Sequence, residues 1–403
     1  MLARGHTVEA WCPSTADQSY LPLSVLAVEH VLPIPLKSDT NGSSWGSRWG
    51  FRFQYMFKQA SIIDKHCREC ADYINSGGFD VLLVHPCRFT VVPPIGRYVS
   101  IPTVLYLQEP RRKLYESSPL PVWAALPPPH GLVDLPGYLV DYILDFIKIQ
   151  KFRLDVRDEL KNVQAYDKIL VNSLFSRESV LRSYGIDSAV CYLGVDSEFF
   201  KPTHARREPY VVGVGELRRH KGLDRAVRAI GAIPKDRRPG LVWVGNQDDP
   251  SYLTEIKSLA DTLGVSFIPK MRLSDSEMVD VLSRATAMIY TPRLEPFGFA
   301  PLEANACQTP VVAIAEGGVR ETIVDGLNGF LVGGDNPKLL GDIVLRLSAD
   351  SSLRETIGAN ARRHVIENWS WGKSIDCLED ILLSLSAQGS GKPSPQIPVK
   401  GEP

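Results

Sequence analysis

The chain has 403 residues, a formal net charge of −1 and an apolar share of 44%. That length suits two domains, and the near-zero charge argues against nucleic acid as a partner. Seven scattered cysteines, an odd number, argue against a disulfide framework and for a reducing, cytoplasmic setting. The segment from Met1 to His6 reads as the last turn of a helix with Gly5 as its C-cap, followed at once by a strand at Thr7–Cys12. A doubly wound domain opens with a strand and a glycine-rich loop before such a helix, and both are expected to be missing here. Further strands are expected at Leu26–Leu32, Val81–Val84, Val104–Leu107, Lys168–Val171 and Val190–Tyr192. Helices are expected at Trp49–Asn75, Gly137–Gln164 and Arg177–Tyr184, with Pro119–Pro136 a loop. The prolines of that loop break up the most apolar region, so no run is long enough to span a bilayer.

From Pro209 the alternation becomes regular. Strands are expected at Tyr210–Val214, Leu241–Gly245, Val265–Ile268, Ala287–Tyr290, Val311–Ala315 and Phe330–Val332. Helices are expected at Leu223–Ile230, up to Leu263, and at Phe299–Cys307. Such alternation implies parallel sheets joined by right-handed crossovers. Ser274 and Glu277 have the spacing of a capping box. A strand ending at Tyr290, a turn containing Gly298 and a helix from Phe299 put Glu295 in a loop and Glu303 one turn into the helix. Both carboxylates then lie at the carboxyl edge of a parallel sheet, where ligands bind and a helix N-terminus offers N–H groups to phosphate. Carboxylates there suit the hydroxyls of a sugar or ribose; the plainer reading has one Glu capping the helix and the other exposed. Gly213, Gly215 and Gly222 would allow close backbone approach to a ligand. Gly213 and Gly215 also imitate part of a dinucleotide fingerprint, but a third glycine is lacking.

These segments resemble the retaining glycosyltransferases of family 4. The resemblance rests on Val212 to Gly222, on Asp167 to Ser173, on Leu193 to Asp196, and on the glutamate loop running from Glu295 through Glu303 to Pro310. Glu316 to Glu321 and Asp325 to Gly329 complete it. It implies an α/β protein of GT-B type, two Rossmann-like domains with parallel sheets facing a cleft. The expected layout is an acceptor-side domain over residues 1–193, truncated at its start, and a linker over 194–208. A nucleotide-sugar domain would fill 209–370, a returning helix 371–386 and a disordered tail 387–403. The resemblance implies that Glu303 binds donor ribose and that Glu295 with Phe297, Gly298 and Phe299 holds the donor sugar. Lys221 would neutralise the diphosphate beside Gly215, without metal or cofactor. Glu216 stands where the family often has Arg, and either Arg218 or Arg219 substitutes for it or both are surface residues. Gln108 occupies the position of a family His.

Other residues keep two readings. His85 is ligand-facing or a buried structural His. Glu109 and Arg111 touch an acceptor or form loop ion pairs, and Glu321 contacts the donor or caps the helix after Gly318. Cys67 and Cys70 form a lone C-x-x-C pair in a helical stretch, weak grounds for zinc or redox chemistry. The aromatic and basic stretch containing Trp45, Trp49 and Arg52 suits either a bilayer interface near a lipid-linked acceptor or a helix packed on the front sheet. The expected function is transfer of a sugar from a nucleotide sugar to an acceptor glycan or lipid-linked sugar. The alternative is a non-catalytic relative that only binds the donor or a partner.

Overall fold

A computed structural model describes residues 1–17, 22–35, 48–116, 123–128, 131, 135–203, 205–246 and 249–389; the side chains of 48–57, 113 and 135 lie outside that description. The chain divides into two compact units. One runs from Met1 to Val171, takes in Ser179–Ala189 and resumes at Leu378; the other holds Asn172–Glu178 and Val190–Cys377.

In the first unit a 3-10 turn at Leu2–Arg4 ends on left-handed Gly5. Strands β1 (Glu9–Pro13) and β2 (Val28–Leu32) pair in parallel, Glu9 opposite Val28 and Pro13 opposite Leu32. β2 starts later than expected because Leu23–Val25 closes a 3-10 turn whose Leu23 carbonyl accepts the N–H of Leu26. Helix α1 (Arg48–Ser76) follows, then β3 (Leu82–Val84), β4 (Thr103–Tyr106), the short α2 (Arg112–Tyr115) and α3 (Leu135–Val163). β5 (Lys168–Val171), α4 (Leu174–Tyr184) and β6 (Ala189–Val190) complete the front half. Its strands form two separate sheets among the described residues, β1–β2 and β3–β4–β5–β6. No residue of β1 or β2 is buried, whereas all of β4 is.

The second unit alternates without a break: β7 (Tyr210–Val214), α5 (Leu223–Gly231), β8 (Gly240–Gly245), α6 (Pro250–Leu263), β9 (Phe267–Met271) and α7 (Asp275–Arg284). Then come β10 (Ala287–Tyr290), α8 (Phe299–Ala306), β11 (Val311–Ile314), α9 (Val319–Thr322) and β12 (Gly329–Val332). Helices α10 (Pro337–Ala349) and α11 (Ser351–Asn368) follow, and α12 (Trp371–Gln388) starts in this unit and passes into the first at Leu378. The helices start where caps permit. Asp249 accepts the N–H groups of Ser251 and Tyr252, and Ser274 with Glu277 forms the expected capping box. β9 begins two residues later than expected, because left-handed Gly264 and the Val265 N–H, bonded to the Ala260 carbonyl, still belong to the end of α6.

All six strands are parallel, in the order β12–β11–β10–β7–β8–β9. The direction of winding therefore reverses between β7 and β10, which opens a crevice at their carboxyl ends. Pairing across that seam is short: only Ala287 with Val211 and Met288 with Val212. β7 and β8, by contrast, pair along five residues. Fully buried Trp243, Leu223, Ile230, Leu241 and Ile256 build the core on one face of the sheet, and a second cluster around Met288 and Ala304 covers the other.

Candidate functional site

The loops after β7 and β10 meet at the seam. After β7 the chain enters a 3-10 turn at Arg219–Lys221 and leaves it through Gly222 at φ 70°. A Cβ at Gly222 would lie 2.2 Å from the Thr291 carbonyl oxygen, so only glycine lets this turn rest against the end of β10. Thr291 donates its hydroxyl to the Gly222 carbonyl at 2.8 Å, and Arg225 donates to the Thr291 carbonyl at 3.2 Å. So fastened, Lys221 Nζ donates to both Glu295 oxygens, at 2.9 and 3.0 Å. The two side chains are only about a fifth exposed, at 21% and 20%.

The loop carrying Glu295 is held from behind. Leu294 enters it at φ 51°, a left-handed conformation that is costly for a branched side chain. The Gly318 N–H donates to the Glu295 carbonyl at 2.8 Å, and Ser173 donates its hydroxyl to the Pro296 carbonyl. A Cβ on Gly317 or Gly318 would come within 2.3 Å of the Glu295 carbonyl oxygen or 2.2 Å of that of Pro296. Gly298, at φ 92°, then turns the chain into α8, whose first N–H groups receive no side-chain cap.

Glu303 projects from α8. Burial pushes its carboxyl up to about 7, and the charge of Asp275, the first residue of α7, adds to the shift. Tyr290, the last residue of β10 and only 5% exposed, has its phenol pushed well above the ordinary value by burial and by the charges of Glu295 and Glu303. One buried phenol thus senses both carboxylates, and the direct contact among these residues is the Lys221–Glu295 pair. Sequence reasoning missed Tyr290. Its signal was a lone hydroxyl-bearing side chain closing an otherwise aliphatic strand at the ligand edge.

The remaining expected residues fall into place differently. Gly213 and Gly222 are needed for packing within the protein: a Cβ on Gly213 would strike the Trp243 ring at 2.3 Å. Gly215 lies against the Lys221 side chain, and its carbonyl accepts the Trp243 indole N–H at 2.8 Å. Phe297 is buried among Tyr192, Trp369 and Phe299, so it anchors the loop from the core side. Phe299 is exposed. Arg218 pairs with Glu216 at 3.4 Å, which makes Glu216 its partner, and Arg219 pairs with Glu255. Glu321 is a helix cap, but for α4: it accepts the N–H groups of Leu174 and Phe175 at 2.8 and 3.0 Å and the Tyr192 hydroxyl at 3.0 Å.

In the first unit His85 follows β3 with its ring edge-on to Tyr106 at 5.9 Å, and Gln108 is exposed just past β4. Glu109 and Arg111 follow the ion-pair reading. Glu109 lies 3.7 Å from Arg112, while Arg111 pairs with Asp155 at 3.2 Å and Glu159 at 3.3 Å and donates to the Phe89 carbonyl. The reason lies in α3, which presents the buried Glu159 as a counter-charge that a loop arginine satisfies. Burial raises the Cys67 thiol, and raises that of Cys70 to about 11. Among the described residues no cluster of three His, Cys, Asp or Glu side chains suits a metal ion. No described helix is long and apolar enough to cross a membrane. Trp45 and the side chains of Trp49 and Arg52 lie outside the described residues.

Comparison with known proteins agrees with the fold. The family model for group 1 glycosyl transferases matches residues 195–364. D-inositol 3-phosphate glycosyltransferase of Salinispora arenicola (strain CNS-205) is 36% identical over 186 residues, covering 43% of this chain and 40% of its own. Alpha-maltose-1-phosphate synthase of Mycolicibacterium smegmatis is 30% identical over 262 residues, covering 56% and 65%. The chain spans about half the length of several curated relatives it matches. In fold it is similar to sucrose-phosphate synthase from Thermosynechococcus elongatus, with a TM-score of 0.66 at 17% identity over 96% of this chain and 91% of that one. It is also similar to Anabaena Alr3699/HepE in complex with UDP and glucose, with a TM-score of 0.64 at 18% identity over 91% and 88%.

Proposed function

We propose that this chain, a GT-B protein whose residues 195–364 form a group 1 glycosyl transferase domain of family-4 type, moves a sugar from a nucleotide sugar to an acceptor hydroxyl with retention of configuration. Neither metal nor cofactor takes part in this reading. The observation that carries it is the Lys221–Glu295 pair, set at the sheet's reversal point where the uncapped helix α8 begins, the helix that bears Glu303. A lysine ammonium has three N–H bonds, and two are directed at Glu295. The third is left to meet a diphosphate oxygen as charge builds on the leaving group, and the uncapped first N–H groups of α8 suit the same anion. Glu295, held by its backbone, orients Lys221 and accepts sugar hydroxyls; Glu303 accepts those of the ribose. The departing phosphate takes the proton of the incoming hydroxyl, so no side-chain base is required and Gln108 suffices where a His often stands. The acceptor is a glycan or a lipid-linked sugar.

Calorimetry with a panel of UDP-, GDP- and ADP-sugars, followed by turnover of whichever binds, tests this. Glu303→Ala is expected to weaken donor binding by at least about tenfold, the value of a hydrogen bond to a charged group. Unchanged affinity for every nucleotide sugar would remove Glu303 from the site. Binding without any turnover would make the chain a donor-binding protein only.

A further inference from the structure

The first half of α3 exposes an unusual amount of hydrocarbon. Leu139, Val140, Tyr142, Ile143, Leu144 and Phe146 are each 40–57% exposed, six large apolar side chains within eight residues. At about 100° per residue they sweep an arc of roughly 200°. Asp141, Asp145 and Lys148 form a narrow polar stripe opposite its centre. The centre of the arc, carrying Leu139, Ile143 and Phe146, continues along the same face into Arg153, Arg157 and Lys161, all exposed. Arg157 keeps 67% exposure although it reaches Asp158. One helix face is thus apolar for about two turns and then, after a gap of about two turns, cationic for about two and a half.

We propose that this face of α3 docks on an anionic lipid bilayer, Leu139, Ile143 and Phe146 entering the acyl boundary while Arg153, Arg157 and Lys161 lie against headgroup phosphates. A bilayer offers those two chemistries side by side, and about 10 Å of helix separates Phe146 from Arg153, a distance that a shallowly tilted helix spans between layers. Asp141 and Asp145 point away from the apolar arc, so neither carboxylate has to enter hydrocarbon. A second copy fits worse. Parallel pairing of two such faces sets cation on cation, and antiparallel pairing sets Arg157 on Ile143 and Lys161 on Leu139 with no acid to meet them. The surface is independent of the donor site, and its failure would leave the transferase reading untouched.

Co-sedimentation of the full chain with phosphatidylcholine vesicles, with and without phosphatidylglycerol, tests the proposal. Binding is expected to the mixed vesicles, weakening with salt, and to be much poorer to phosphatidylcholine alone. Replacing Arg153, Arg157 and Lys161 together by Gln is expected to cost about a hundredfold in affinity for anionic vesicles. The pair Ile143→Asp and Phe146→Asp is expected to abolish binding at all salt concentrations. All these side chains are exposed, so the variants keep the thermal midpoint of the parent, which verifies folding. No binding to anionic vesicles at low salt would overturn the proposal. So would binding that both variants retain, or a soluble dimer that the Ile143/Phe146 variant dissolves while vesicle binding persists.

Discussion

At the scale of single residues the chemistry of the seam turns on one proton. The Glu303 carboxyl is raised by burial from the ordinary 4.5 to about 7, so folding favours its neutral form. For an acid shifted upward, the stabilisation is complete below the unfolded value and disappears as pH rises through the folded one. Stability is therefore expected to fall between about pH 4.5 and 7 by on the order of 3 kcal/mol, and Glu303→Gln is expected to flatten that slope in denaturant titrations. Donor hydroxyls favour the ionised form, so binding near neutrality is expected to release a fraction of a proton. Calorimetry in two buffers of different ionisation enthalpy reads that fraction, and the Gln variant should show none. Lys221→Ala leaves the carboxylate of Glu295 without its cation and the leaving group without its donor. A fall in kcat of about 10²- to 10³-fold is expected, and loss confined to KM would mean that Lys221 binds substrate without assisting departure.

At the scale of elements the glutamate loop depends on the glycines behind it. Gly318→Ala puts a methyl group 2.2 Å from the Pro296 carbonyl oxygen, with backbone on both sides of the clash. The loop has to move, and donor affinity is expected to drop by more than tenfold with a stability loss of about 1–3 kcal/mol. An unchanged thermal midpoint and affinity would show that the loop yields freely. Much of this was legible in the sequence. Tyr210–Val214 and Ala287–Tyr290 form strands at the expected residues because buried β-branched and aliphatic runs between turn residues leave few alternatives. The Gly317–Gly318 pair and the glutamate loop stood out as motifs, yet their mutual contact is tertiary and invisible in one dimension. Arg111 was ambiguous for the same reason: its partners Asp155 and Glu159 lie more than forty positions away on α3. Tyr290 was hidden because its neighbours Glu295 and Glu303 acquire meaning only when β10 and α8 fold together.

At the scale of the whole molecule, order is unevenly distributed. The second unit encloses β10 and β11 completely, while every residue of β1 and β2 keeps contact with solvent. Amide hydrogen exchange is expected to be fastest in β1–β2 and slowest in β10–β11, because opening free energy follows buried apolar contact. Equal protection of the two sheets would contradict that ranking. The division of the first unit's strands into two sheets was not foreseen: each strand overlaps its expected segment, with ends shifted by one or two residues, but pairing between strands is not written in any one segment.

The abbreviated ladder between β7 and β10, two residue pairs long, has a mechanical corollary. With so few bonds joining them, the two halves of the rear sheet have their weakest join directly beneath Lys221 and Glu295. A molecule gripping the loops on either side would act as a rivet across that join. Under load, the empty protein would part there first and the occupied one elsewhere, so single-molecule pulling would reveal occupancy as a change in where the sheet breaks.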